Sequence, residues 1–563
     1  MDTSSMVTVR GDRIAVRFER FDLDAYRLFL RAKTVPEQTV RLVDEERLHY
    51  EIDMPARFAG MLGVEVPAAP GSDLPFASHL FDDQREVLAQ ALDAKRFALW
   101  AACGWGKSAF SLEYARQVIH RTGGRVLITT VNEVVPQWVE ECHKFYGDAL
   151  PILRLRSRAE MIQWMGAGDG VHSLAVTNYE KWNPEDIDHQ VVNEARHLAG
   201  VILDENRLKT GGGKQKWAII KSCKGVEYKL SCTATPAPND LMEFASQASF
   251  LEKMRTEQDI IWTYFRRDEK THRWTVKPHA RQAFFDFMST WSIYIDDPRR
   301  FGWRKEIPVP PAPVEFVHEL EPTEEQRAAS MLGTSDGTGQ LCLIPEPGHR
   351  NFVQANQLSQ VAKGFRYVLG SRGVADRYPE QPAVAREPSG LYERIPSLKP
   401  GFVARLTRDE LAAGHTVLVW TVFDAESDLI AEELQRLGMA FGLLTGKVKP
   451  AQRSKVLEAF RSGASKVLVT RASMLGWGVN LQVCNSMIFS GWSFSFEQHY
   501  QAVRRAYRHG QTRQVRIHIP VVRGLEDDIL DAIRRKEGEY ATGIREMERC
   551  YLDSRLRQRG GAA

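Results

Sequence analysis

The chain of 563 residues predicts an α/β protein built from two parallel-sheet lobes, with a helical insertion between them and a small α+β domain in front. Three observations carry this reading. Short β-branched runs ending in polar or glycine-rich segments recur in both halves, each followed by a helix-like stretch, the alternation that parallel sheets require. At about 150 residues per domain, the length holds three to four such units. The composition, 43% apolar and 26% charged with 41 Gly and 26 Pro, belongs to a folded chain and excludes disordered, collagenous and disulfide-scaffold classes.

The elements follow in order. Residues 1–78 form a separate unit, because Val7, Val9, Ile14, Val16 and Phe18 alternate as a small sheet would and APGSDLP closes the segment as a linker. The first lobe, 79–250, carries the runs 125–131, 174–178, 200–205 and 228–232. Residues 251–313 differ in character: up to Lys305 they hold 12 Lys/Arg against 8 Asp/Glu, with Trp262, Trp274, Trp291 and Trp303 interleaved, and they end in the rigid IPVPPAP. Such tryptophans either stack on nucleic-acid bases or form the core of a helical brace. The second lobe, 314–523, carries the runs 416–422, 466–470, 487–490 and 515–520, and residues 524–563 read as one amphipathic charged helix with an Arg-rich end.

Net charge is only +3, so its distribution matters more than its total. From Gln501 to Ala563 there are 14 Lys/Arg against 9 Asp/Glu, which leaves the rest of the chain slightly acidic. The seven cysteines form no CxxC pair, so neither a zinc cluster nor a disulfide framework is indicated, and a reducing cytoplasm fits. The N-terminus lacks the basic and apolar regions of a signal peptide. Residues Ala472 to Phe496 carry no charge over 25 positions, but Gly476, Gly478, Asn480, Gln482, Asn485 and five serines interrupt them, so no membrane helix is expected.

Two motifs carry chemistry on their own residues. An apolar run leads into Gly104-Trp105-Gly106-Lys107-Ser108 and a helix-like stretch follows, the setting of a phosphate-binding loop. Gly104 and Gly106 let backbone N–H groups turn onto phosphate oxygens, Lys107 adds a point charge, and Ser108 offers a hydroxyl to Mg²⁺. Ala101 stands where the strict pattern has glycine. Ninety-seven residues beyond Lys107, the run ending Asp204-Glu205 supplies two adjacent carboxylates. Asp204 suits metal binding through water, and Glu205 suits orientation and deprotonation of an attacking water.

With these motifs the chain resembles a superfamily-two helicase of the DEAD/DEAH-like group, and within it the Swi/Snf-like branch, over roughly residues 79 to 520. Further motifs appear in the order that the resemblance implies. Phe81-Asp82-Asp83-Gln84-Arg85 is similar to the stretch whose glutamine reads adenine, which nominates Gln84. SCTATPAPN from Ser231 is similar to the motif coupling nucleotide state to the second lobe, with Thr233 and Thr235 as its hydroxyls. Gly476-Trp477-Gly478-Val479-Asn480-Leu481 is similar to a motif of the second lobe that nominates Gly478 for the nucleotide and Asn480 for nucleic acid.

The segment from Gln501 to Gln511 resembles the final arginine motif, which implies catalytic roles for Gln501, Arg505 and Arg508, with Arg504 as a structural or DNA-facing neighbour. Arginines supplied in this way stabilise charge on a transferring phosphoryl group, an effect of about 10³ to 10⁵ in rate. Val131 replaces the proline usual before the first nucleic-acid motif, and Trp138, Tyr179 and Lys181 are positional candidates for the nucleic-acid track. The long spacing of TRASMLGWGVNL, with FFDFMSTWSIYIDDPRRFGW and NQLSQVAKGF, resembles compact bacteriophage and prophage members, which implies a bacterial or phage-infected cell.

The resemblance implies two RecA-like lobes, ATP and Mg²⁺ as substrate and cofactor, and double-stranded DNA as partner of an ATP-driven translocase. A strand-separating helicase acting on DNA or RNA, and a non-motor nucleotide-dependent clamp, remain the alternatives.

Overall fold

A computed structural model describes residues 7–10, 13–18, 22–33, 38–44, 49–55, 74–167, 169–182, 191, 194–195, 197–206, 208, 213–237, 241–254, 256–267, 274–304, 310–334, 341–343, 352–367, 392–472, 479–492, 495–508 and 510–560. The chain divides into two compact units, one of residues 1–305 with 542–563 and one of residues 306–541.

The first unit opens with a four-stranded antiparallel sheet of β1 (Val7–Arg10), β2 (Arg13–Phe18), β3 (Thr39–Asp44) and β4 (His49–Pro55), in the order β1-β2-β4-β3. Alternate residues Ile14, Val16 and Phe18 point to one face, as the period of two requires, and cluster with Ile52, Met54 and Leu28 of the helix Leu23–Lys33.

The main sheet comprises β5 (Arg96–Ala101), β6 (Arg125–Thr130), β7 (Ile152–Arg154), β8 (Leu174–Asn178), β9 (Leu198–Asp204) and β10 (Tyr228–Thr233), joined later by β13 (Ser292–Ile295). Its order is β13-β5-β10-β9-β6-β8-β7, and every pairing is parallel. The central strands are buried along nearly their whole length, which explains why they read in sequence as continuous apolar runs.

Residues 251–304 are less separate than their sequence implied. Helices Glu257–Tyr264 and Arg281–Ser289 flank a hairpin of β11 (Phe265–Arg267) and β12 (Trp274–Val276), but the segment then returns β13 to the edge of the main sheet beside β5. Its aromatic residues are mostly core. Trp291 is buried edge-on against Trp100 at 5.6 Å between ring centroids, and Trp303 stacks on Phe301 and donates to Glu86. Trp262, by contrast, is 69% exposed. The long helix Asp527–Gly560 contributes its later residues to this unit: Glu546 pairs with Arg281, Glu548 with Arg300, and the Tyr551 hydroxyl bonds Gln90. The Arg-rich end read from the sequence carries Arg555, Arg557 and Arg559, whose side chains lie outside what the structure describes.

The second unit carries β14 (Val314–Leu320), two small hairpins of β15 (Leu332–Thr334) with β16 (Leu341–Leu343) and β17 (Phe365–Tyr367) with β18 (Tyr392–Arg394), then β19 (Val417–Thr421), β20 (Gly442–Leu444), β21 (Val467–Arg471), β22 (Ser486–Phe489) and β23 (Arg516–Val522). Its six-stranded parallel sheet has the order β14-β23-β22-β19-β21-β20. Leu418, Trp420, Leu468, Met487 and Ile517 fill a core on one face, while Val417, Val419, Val469 and Ile488 fill another on the opposite face. Both cores draw on the same strands because successive side chains alternate. Among the described residues, no helix is long and apolar enough to cross a membrane.

Candidate active site

Three adjacent strands of the first unit end at one place. In the order β5-β10-β9, their C-terminal ends bring Ala101, Thr233 and Asp204 side by side, with Thr233 in register with Trp100 and Cys232 with Asp204. Ligands of open α/β sheets bind outside such ends.

From β5 the chain enters the loop 102–106 and then the helix Lys107–Thr122. Gly104 and Gly106 hold φ of 90° and 102°, a region that favours glycine, and a Cβ on Gly106 would come within 2.4 Å of the Gln84 amide nitrogen. Trp105 is the loop's apolar anchor, buried 5.6 Å from the Phe110 ring. The Lys107 ammonium turns back to the Ala101 carbonyl at 2.8 Å, and half-buried Ser108 sits in the first helical turn. Gln84, on the helix Asp82–Ala94, is buried against the loop. Its oxygen accepts from the Phe81 N–H and its nitrogen donates to the Trp105 carbonyl, both at 3.0 Å, so its amide is engaged by backbone.

Asp204 ends β9, buried. Its Oδ2 accepts from the Thr130 hydroxyl at 2.8 Å and from the Trp138 indole at 3.0 Å. Burial, reinforced by the Glu205 charge, pushes its carboxyl above the ordinary range, while Thr130, the charge of Lys107 and Trp138 act the other way. Glu205 follows with φ of 46°, a left-handed conformation uncommon outside glycine that turns the chain sharply off the strand. Its carboxylate is 3.5 Å from the Thr233 hydroxyl, which also accepts from the Thr235 N–H at 3.1 Å. The two coupling candidates and the proposed base thus share one hydroxyl.

Behind this front lies a buried polar network. Asn206 donates to Ser231, Ser231 and Trp100 donate to the Gln247 oxygen, and the Gln247 nitrogen donates to the Pro236 carbonyl at 2.8 Å. It joins the segment after Glu205 to the loop carrying Thr233 and Thr235.

Two nucleic-acid candidates need correction. Trp138 is 1% exposed and Tyr179 is equally buried, with its hydroxyl donating to the Asp204 carbonyl at 2.9 Å. Both serve the acidic strand end instead of lining an open track, because a strand end flanked by helices buries what stands beside it. Lys181 is half-buried, bonded to Asn178 at 3.1 Å, and burial lowers its pKa. Thr130, which sequence reasoning did not nominate, is the other partner of Asp204; its one signal is a polar residue ending the neighbouring strand.

In the second unit the two predicted motifs meet. The Leu481 N–H donates to the Arg505 carbonyl at 3.0 Å, and the Gln511 amide donates to the carbonyls of Gln482 and Cys484, both at 3.0 Å. Gln501 and Arg505 are buried, Arg508 is half-buried, and the Arg504 guanidinium lies over the rings of Tyr500 and Tyr507. Asn480 is exposed and bonded to Gln482. Gly478 lies outside the described residues.

The chemistry of the first unit's strand ends fits a magnesium nucleotide. A loop with no Cβ at Gly106, an ammonium, a helix-start hydroxyl and a buried carboxylate answering to that ammonium are the donor set that a polyphosphate and a hard cation require. Among the described residues no separate His/Cys/Asp/Glu cluster of metal-binding geometry occurs.

Comparison with known proteins agrees with this division. Residues 78–238 match the family described as type III restriction enzyme, res subunit, and residues 399–510 match the helicase conserved C-terminal domain. The first match spans β5 to β10 and the second spans β19 to β22. TATA-binding protein-associated factor BTAF1 of Arabidopsis thaliana is 23% identical over 468 residues, covering 76% of this chain and 23% of that protein. The probable ATP-dependent DNA helicase CHR12 of Arabidopsis thaliana is 24% identical over 456 residues, 77% of this chain and 39% of the relative. The chain therefore spans well under half the length of these relatives. A solved structure titled Sulfolobus solfataricus SWI2/SNF2 ATPase core in complex with dsDNA aligns with 87% of this chain and 99% of its own, at 16% identity and a TM-score of 0.37.

Proposed function

We propose that this chain is an ATP-driven nucleic-acid motor of the Swi/Snf-like helicase group, a DNA-stimulated ATPase that translocates on double-stranded DNA. The observation that carries the reading is the convergence of the phosphate loop, Asp204-Glu205 and Thr233 on the ends of three neighbouring strands. Lys107 and the loop N–H groups bind phosphates. Asp204 and Ser108 would hold Mg²⁺, whose chemistry is to offset the charge of the phosphate oxygens. Glu205 orients water and takes its proton, and the Thr233 hydroxyl beside it reports the state of that carboxylate to the loop 234–237. Arg505 and Arg508 stabilise charge on the transferring phosphoryl group.

The choice of DNA rests on the relatives, among them a protein named as a DNA helicase. ATP hydrolysis measured in parallel with duplex DNA, single-stranded DNA and RNA tests the proposal. The expected result is stimulation by duplex DNA above the other two, without displacement of an annealed strand. Turnover indifferent to every polynucleotide would sink the motor reading, and displacement of a forked strand would replace translocation by unwinding.

A further inference from the structure

We propose that Arg304 is a positioning residue of the nucleotide site, holding the phosphate loop and Gln84 in register from a point almost 200 residues away in sequence. The inference rests on reading that loop as nucleotide-binding.

Arg304 is 7% exposed, at the end of the segment that follows β13. Its Nε donates to Asp83 Oδ1 at 2.8 Å and its Nη2 donates to the Trp105 carbonyl at 3.2 Å. The guanidinium lies over the Phe81 ring at 4.1 Å and over the Trp105 ring at 5.4 Å. The same Trp105 carbonyl accepts from Gln84, so one backbone oxygen of the phosphate loop is held by two side chains from different parts of the chain. Asp83, fully buried beside Gln84 on the same helix, has its other carboxylate oxygen without a hydrogen bond among the described residues.

A packing role alone does not call for this arrangement. Burying an ion pair costs the desolvation of both charges, and an apolar pair of the same volume is often as stable. Arg304 also holds φ of 48°, a conformation that a bulky residue adopts only where its surroundings enforce it. What the arginine supplies is direction. Its planar fork donates along two fixed lines while its faces stack on rings, which a lysine point charge cannot reproduce. One line ends on the helix that carries Gln84 and the other on the loop between Gly104 and Gly106. The spacing between loop and glutamine is therefore set by this rigid group together with the direct bond from Gln84 to the Trp105 carbonyl.

The test uses the full chain and its variants Arg304→Lys and Asp83→Asn, with MgADP binding by calorimetry, steady-state ATPase kinetics and thermal unfolding. A hydrogen bond to a charged group is worth about 1.5–3 kcal/mol, so Arg304→Lys should raise both the Kd for MgADP and the KM for ATP by about tenfold or more. At saturating ATP its kcat should stay within about threefold of wild type, since the group does not touch the reacting atoms. Asp83→Asn should move Kd in the same direction, and the double variant should be no worse than Arg304→Lys alone, because both act through one contact. Wild-type Kd and KM in both folded single variants would overturn the proposal, as would a loss confined to kcat. If Arg304→Lys does not fold, Asp83→Asn decides by the same readout. Failure of the wild-type chain to bind MgADP would overturn the nucleotide reading itself, and this inference with it.

Discussion

The indole nitrogen of Trp138 lies 3.0 Å from Oδ2 of Asp204, so a buried tryptophan serves as a hydrogen-bond donor to the carboxylate at the end of β9. With the Thr130 hydroxyl on the same oxygen, it fixes one side of the carboxylate. Two donors on Oδ2 leave Oδ1 as the oxygen available to a cation. Trp138→Phe keeps an aromatic ring, smaller than the indole, and removes the donor. A lost hydrogen bond to a charged group is worth about 1.5–3 kcal/mol, so kcat/KM for ATP should fall by about tenfold or more, with a stability loss of about 1–2 kcal/mol. Unchanged kinetics in a folded Trp138→Phe protein would show that Thr130 alone suffices.

Glu205→Gln keeps the size of the side chain and its place 3.5 Å from the Thr233 hydroxyl but removes the base. MgATP should still bind while turnover drops by at least about 10², the scale of a general base. Lys107→Ala should weaken nucleotide binding itself. Nucleotide titration beside single-turnover kinetics separates the two, and identical defects would argue against distinct roles.

Arg508→Ala should lower kcat far more than it weakens ATP binding, because an arginine acting on the transferring phosphoryl group is needed mainly in the transition state. Equal losses in both would assign it a structural role.

Gln247→Leu removes the hub of the network behind the site, leaving the Trp100 indole and the Pro236 carbonyl without their partner and the Ser231 hydroxyl, which still accepts from Asn206, without an acceptor for its proton. Each buried group left unpaired costs about 1–3 kcal/mol, so unfolding of the first unit should shift by several kcal/mol in urea titration. A shift under about 1 kcal/mol would mean that water or a local repacking satisfies all three.

Stability of the second unit should fall as the solution is acidified below about pH 6.5. His518 is buried between the rings of Phe316 and His318, with Glu410 and Arg516 nearby, and burial pushes its pKa down to about 4. The unfolded chain therefore binds this proton between about pH 6.5 and 4 and the folded chain does not, so unfolding becomes easier across that window by up to about 3 kcal/mol. His499, also lowered to about 4 by burial, acts in the same sense. His518→Phe should flatten the dependence without abolishing it; a pH slope identical to wild type in denaturant titrations would exclude His518 as its source.

Much of this site was legible in the chain. The apolar runs 125–131, 200–205 and 228–232 became β6, β9 and β10, and the loop 104–108 and the Asp204-Glu205 pair stand where their strand contexts implied. These are local signals: a strand buried on both faces must be apolar throughout, and a strand-loop-helix phosphate site is written in consecutive residues. Tryptophans gave no such signal. An indole reads alike in sequence whether it stacks on a base, as expected of Trp138, or bonds a carboxylate 66 residues away.

Sequence alone therefore determined which segments are strands and that the Gly104–Ser108 loop and the Asp204-Glu205 pair follow strand ends. Tertiary structure decided who supports them. The strand order β13-β5-β10-β9-β6 brings Thr130 against Asp204, turns residues 292–295 from an expected insertion into an edge of the sheet, and is followed by Arg304 beneath the phosphate loop. The reason is that neighbours in a parallel sheet are set by crossover connections, so partners 66 to 199 positions apart meet with no periodicity or spacing to announce them.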